Sequence, residues 1–282
     1  MSFHHNLINQ MYKSVFVDMD GTLLKKDHSI SDANKNAIQR LIDNGVLVIP
    51  ISARPLHGIL PITQKVLPDS IPVVSLNGSY IYHKDEIISQ IDISLLEVAN
   101  VHEQLMLHDL SVMYYSQMKW YATALTPAIE KEQRITEVAI QILPFEKIVS
   151  IWKEENTGPN KILVAGDKDL ILEVEQRLIS KFNGKLNVFK SQPKYLELMH
   201  IEASKTKAIQ FLMNQYGILQ QEVIAIGDNY NDKEMIEFAG VGVAMGNAPE
   251  EIKLVADFVT DTNNDDGVAK ALAHYFPEIV IS

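Results

Sequence analysis

The 282-residue chain contains no cysteine. That excludes disulfides, thiolate metal sites and a cysteine nucleophile, and it suits a reducing compartment. Positive charge is scarce: 25 Lys and Arg stand against 36 Asp and Glu, a net charge of −11. Such a chain repels a phosphate backbone, which argues against general nucleic-acid binding. Long hydrophobic runs are missing too. The first residues, MSFHHNLINQ, lack the basic start and apolar stretch of a signal peptide. The longest apolar stretch near them, Val46 to Ile51, is far too short to cross a bilayer. A cytoplasmic protein with no membrane partner is the expectation. No internal repeat, low-complexity run or Gly-Ser linker divides the chain, and nothing in it declares an oligomeric state. Its 9 histidines have no ligand-like spacing, and His4-His5 reads as tail.

What is present is ordinary for a globular protein: 46% hydrophobic and 22% charged residues. The N-terminal stretch alternates strands and helices. Ser14 to Val17 is a short β-branched run that reads as a buried strand. Ser31-Asp32 opens a helix whose apolar positions are Ala33, Ala37, Ile38, Leu41 and Ile42, and Gly45 closes it. Val46 to Ile51 is a second strand, Pro55 to Val66 a second helix and Pro72 to Leu76 a third strand. The C-terminal part repeats the rhythm, with helices over 205–216, 232–239, 249–255 and 267–275 and strands over 222–226, 241–244 and 257–260. Strands separated by helices predict βαβ units and a parallel sheet. The middle differs. Val112 to Ser116 and Lys119 to Ala122 resemble a hairpin, and a helix over 170–181 lies between strand-like segments. The expected architecture is α/β: a Rossmann-like, doubly wound parallel sheet over 1–85 and 196–282, with an α+β unit inserted at 86–195.

The chemistry-bearing residues fall at strand ends, where open α/β sheets bind ligands. Asp18-Met-Asp20-Gly-Thr follows the first strand. Two carboxylates so close repel unless one is protonated or a cation sits between them, and hard oxygen ligands suit Mg²⁺. A lone Asp-x-Asp-Gly is also good turn chemistry. The full string is more specific, and it resembles the first motif of the haloacid dehalogenase (HAD) superfamily. Three further segments resemble that family's motifs in order. Ser52 follows the second strand. Lys205 opens a helix, although Thr206 stands where glycine is common and Lys207 is close by. Gly227-Asp228-Asn-Tyr-Asn231-Asp232 matches GDxxND in full. Asn77-Gly78 resembles a dipeptide of one branch, but reads more readily as a turn into Tyr80-Ile-Tyr82.

The size and place of the insertion are similar to the cap of the type IIB, Cof-like group. That resemblance implies a Mg²⁺-dependent phosphatase acting on a small phosphorylated metabolite such as a sugar phosphate. It implies Asp18 as nucleophile, Asp20 as acid and base, and Lys205 as the third catalytic group. Met19, Ser52, Ala53, Lys205 and Asn231 are implied to bind phosphate, and Asp18, Asp20 (through its backbone carbonyl) and Asp228 to hold the metal. Asp232 could ligate through water or cap the next helix. The cap is expected to close over the site. Tyr114, Tyr115, Trp120 and Tyr121 read as packing before ligand contacts. A sugar phosphomutase shares all four motifs, and a phospho-Asp regulator would need the acids and lysine but not Asp20 as acid or a large lid.

Overall fold

The computed structural model describes residues 11–136 and 138–281. His4-His5 lies outside the described residues. The chain divides into two compact units. One comprises the chain to Ala53, Ile59–Ile88 and Lys205 onward; the other comprises Arg54–Gly58 and Ser89–Ser204.

The first unit begins with β1 (Ser14–Asp18), buried along its whole length. Then follow α1 (Asp32–Asp43), β2 (Leu47–Ile51), the short α2 (Leu60–Thr63), β3 (Val73–Ser75), β4 (Tyr80–His83) and β5 (Glu86–Gln90). The Ser31 hydroxyl caps α1 by accepting from the Asn34 N–H at 3.2 Å. Gly45, at φ +83°, ends it. The long helix expected over 55–66 is instead a 3₁₀ turn, Leu56–Gly58, and the one-turn α2. Gly58 and Pro61 interrupt it, since Pro61 has no N–H to give a preceding turn. The β3–β4 connection is a hairpin, as Asn77-Gly78 suggests, but it passes through a 3₁₀ turn, with Leu76 and Asn77 at positive φ.

In the second unit, α3 (Leu95–Leu105) precedes β6 (Ser111–Ser116) and β7 (Lys119–Ala122). After these come α4 (Pro127–Thr136), β8 (Ile140–Ile142), α5 (Phe145–Glu154), β9 (Lys161–Ala165), α6 (Lys168–Lys181), β10 (Leu186–Gln192) and β11 (Tyr195–His200). The strands form one sheet in the order β10-β11-β9-β6-β7-β8. Alternation sorts its two faces. Val112, Tyr114, Tyr121, Ile162, Val164, Leu196 and Leu198 join Val98, Val101, Ile148, Trp152, Ile171 and Leu178 of the helices in one core. Tyr115 and Trp120 point to the other face, and all four middle aromatics are buried. The boundaries expected at 85/86 and 195/196 fall at 88/89 and 204/205, and Arg54–Gly58, expected in the core, groups with this unit. The reason for the second boundary is β11, which pairs with both β9 and β10 and therefore belongs to this sheet.

The first unit resumes with α7 (Lys205–Tyr216), β12 (Val223–Gly227), α8 (Lys233–Phe238), β13 (Val241–Ala244), α9 (Glu250–Lys253), β14 (Phe258–Val259), α10 (Gly267–Tyr275) and α11 (Pro277–Val280). Its sheet runs β14-β13-β12-β1-β2-β3-β4-β5. Pairings from β14 through β3 are parallel, and β4 turns back antiparallel. From β1 the order runs to β2 on one side and to β12 on the other. That reversal is the switch point of a doubly wound sheet, and it opens a crevice at the carboxyl ends of β1, β2 and β12. No helix among the described residues is long and apolar enough to cross a membrane.

Candidate active site

Register brings the motif residues together. Asp18 pairs across from Ile51, immediately before Ser52, and Val17 from Ile226, two residues before Asp228. After Asp18 the chain turns tightly: Thr22 and Leu24 donate N–H groups to the Met19 carbonyl at 3.3 and 2.8 Å, and Leu23 donates to the Asp18 carbonyl at 3.1 Å. Gly21 makes the turn possible. Its φ is +83°, and a Cβ there would lie 2.3 Å from Asp228 Oδ2.

Lys205, at the start of α7, is buried between two acids. Its Nζ donates to Asp18 Oδ1 and to Asp232 Oδ1, each at 2.5 Å. Lys207 is exposed. Asp232 is fully buried, and its Oδ2 accepts from the backbone N–H groups of Asp228 and Asn229, both at 3.0 Å. It thus closes the turn after β12 and does not cap α8 through its side chain. Gly227 lets it approach, for a Cβ there would meet the Asp232 Cβ at 2.4 Å.

Asp18, Asp228 and Asp232 each offer a carboxylate oxygen, and these lie within 4.8 Å of one another. Burial and repulsion from Asp232 push the Asp18 carboxyl well above its ordinary range, although Lys205 opposes them. Burial and Asp232 push Asp228 up to about 6. Burial works against the Lys205 charge, but the two acids outweigh it and hold the ammonium above its usual range. Fully ionised, the three carboxylates exceed the single ammonium by two charges. Oxygen donors with that excess fit a divalent cation.

The Asp20 side chain, expected to leave the metal to its backbone carbonyl, lies apart from the other acids. Its carboxylate does not join the cluster of three, where Asp232 stands instead. The turn at Gly21 carries its side chain outward, 46% exposed and 3.9 Å from His28 Nδ1. Ser52 is buried; its N–H donates to the Val74 carbonyl at 3.0 Å, and its carbonyl accepts from the Asn77 N–H at 2.9 Å. Met19 is buried and Ala53 half-buried. Asn231 is exposed and donates from Nδ2 to Asn77 Oδ1 at 3.3 Å. Asn77, read from sequence as a turn residue, therefore also borders the site. Two neighbours escaped the sequence reading. Thr22, buried, donates its hydroxyl to Asp228 Oδ1 at 3.0 Å, and Asn247 donates to Asp228 Oδ2 at 3.2 Å. The Gly-Thr of the first motif was the available signal for Thr22; Asn247 carried none in isolation.

A family model described as haloacid dehalogenase-like hydrolase matches residues 15–272. The chain belongs to that family. A putative phosphatase of Haemophilus influenzae is 38% identical over 271 residues, covering 95% of this chain and 100% of that protein. A Bacillus subtilis protein named 5-amino-6-(5-phospho-D-ribitylamino)uracil phosphatase is 30% identical, covering 93% and 95%. The crystal structure of a haloacid dehalogenase-like hydrolase from Bacteroides thetaiotaomicron superposes with a TM-score of 0.84 at 33% identity, covering 94% of this chain and 100% of that one. The Cof-like phosphatase and phosphoric monoester hydrolase implied by the motifs agree with these relatives.

Proposed function

We propose that this HAD-family chain hydrolyses a small phosphorylated metabolite, such as a sugar phosphate, through an aspartyl-phosphate on Asp18, with Mg²⁺ as cofactor. The observation that carries the reading is Lys205 held between Asp18 and Asp232, with Asp228 beside them. An Asp18 oxygen attacks phosphorus in line, and the bond to the leaving alkoxide breaks. Asp20 gives that alkoxide its proton. Asp20 then takes a proton from water as the water oxygen attacks phosphorus, freeing inorganic phosphate and the Asp18 carboxylate. The half-exposed position of Asp20 suits a group that exchanges protons and does not bind metal through its carboxylate. The Lys205 charge favours ionised Asp18 and opposes the charge of the transferring phosphoryl group. The Ser52 hydroxyl, with N–H groups around Met19 and Ala53 and the Asn231 amide, serves the phosphoryl oxygens.

Asp18 and Asp228 are the side-chain ligands in this reading, with the Asp20 backbone carbonyl. Mg²⁺ there supplies charge neutralisation between carboxylate and phosphate. Asp232 is already engaged by Lys205 and two N–H groups, which suits an organising role. Relatives that act on a phosphorylated ribityl compound support a polyhydroxylated leaving group. The test is phosphate release from a panel of sugar, polyol and nucleotide phosphates, with and without Mg²⁺, for wild type and Asp18→Asn. Release that requires both metal and Asp18 is expected; release indifferent to either rejects the mechanism.

A further inference from the structure

Asp228 is gripped from two loops. Asn247, just beyond β13, is exposed yet makes three hydrogen bonds. Its Nδ2 donates to the Gly21 carbonyl at 2.9 Å and to Asp228 Oδ2 at 3.2 Å. Its Oδ1 accepts from the Asn263 N–H at 3.0 Å. Because Oδ1 faces a backbone donor, the amide has one satisfactory orientation, with its N–H groups toward Gly21 and Asp228. Asn263, buried, donates from Nδ2 to the Leu24 carbonyl at 2.7 Å. The loop after Asp18, the loop after β13 and the loop after β14 are thereby tied into one ring. Thr22 holds the other oxygen of Asp228.

We propose that Asn247 is a positioning residue for the divalent-ion site: it fixes the Asp228 carboxylate against the first-motif loop, and Asn263 in turn fixes Asn247. The inference rests on the metal reading above. The physical reason is general. A carboxylate free to rotate must be ordered when a cation binds, whereas one already held by two donors need not be. Loss of such outer partners typically weakens metal binding about 10–100-fold. Gly21 belongs to the same device, because only a residue without Cβ lets Asp228 and its carbonyl share the Asn247 amide.

The test is calorimetric titration of the full chain with Mg²⁺ alone, with no substrate present. Asn247→Ala and the nearly isosteric Asn247→Leu are each expected to weaken Mg²⁺ binding at least about 10-fold. Asn263→Ala should weaken it less, and Asn36→Ala, on the exposed side of α1, should match wild type. In phosphate-release assays the Mg²⁺ concentration for half-maximal rate should rise in parallel, and added Mg²⁺ should restore turnover to Asn247→Ala; a merely misfolded site would not be rescued. If Asn247→Ala does not fold, the Asn247→Leu and Asn263→Ala titrations decide. Wild-type binding together with Asn247 or Asn263 variants within twofold of it overturns the proposal alone. A wild-type chain that takes up no Mg²⁺ overturns the metal reading and the role of Asn247 with it.

Discussion

Lys205 bridges Asp18 and Asp232, its Nζ 2.5 Å from one carboxylate oxygen of each. All three side chains are buried, so this cation holds together two acids that would otherwise repel. Removing one partner of a buried ion pair typically costs about 3–5 kcal/mol. Lys205→Met should therefore destabilise the first unit by roughly 3 kcal/mol at pH 7, and by less at pH 5, where the bereft Asp18 carboxyl, already raised by burial, takes up a proton. Turnover should fall at least about 100-fold. Urea unfolding at the two pH values and phosphate release check this; a stability change that ignores pH would contradict the pairing.

Gly21→Ala meets two obstacles at one position. The backbone is left-handed there, and the new Cβ would lie 2.3 Å from Asp228 Oδ2. The conformation alone costs an L-residue about 1–2 kcal/mol. The expected result is a folded protein, less stable by about that amount, with phosphatase activity lost far out of proportion. Activity near wild type would mean that Asp228 need not approach this turn.

Asp92 anchors the segment entering the second unit. Its carboxylate accepts from Thr157 Oγ1 at 3.0 Å, the Gly158 N–H at 3.1 Å and Asn160 Nδ2 at 2.8 Å, and also from Gln90 Nε2. Asp92→Ala strands several of these donors, at about 1–3 kcal/mol for an unsatisfied buried group. Asp92→Asn should recover only part, because an amide nitrogen cannot accept. Thermal unfolding of both variants measures the difference, and equal melting temperatures for Asp92→Ala and wild type would refute the anchor.

His57 predicts a pH dependence. Among the described residues neither of its buried ring nitrogens has a hydrogen-bond partner, and its ring packs edge-on against Trp120 at 5.8 Å. Burial lowers its pKa below the ordinary 6.5. The folded state thus binds fewer protons here than the unfolded one. The sign follows: stability from this group is intact above 6.5 and is lost as pH falls below it toward the folded value. His57→Phe should flatten the fall in melting temperature between pH 7 and pH 5. An unchanged slope would show that the imidazole titrates as it does in water.

The sequence by itself determined the local pieces. β1 and α1 were legible because their apolar spacing, the Ser31 cap and Gly45 all act over a few residues. The order of strands and helices implied a doubly wound sheet, and the motifs at strand ends implied which residues meet. Where local signals conflicted, as at Gly58 and Pro61, the expected helix dissolved into short turns. The allegiance of β11 was hidden, because a strand's partners are decided by pairing across the chain. So were the outward turn of Asp20, the ion pair of Lys205 with Asp232, and the grip of Asn247 on Asp228, a residue 19 positions away. Those depend on the directions side chains take once three loops are brought to one crevice. Spacing specifies which groups are available there; packing and charge decide which of them touch.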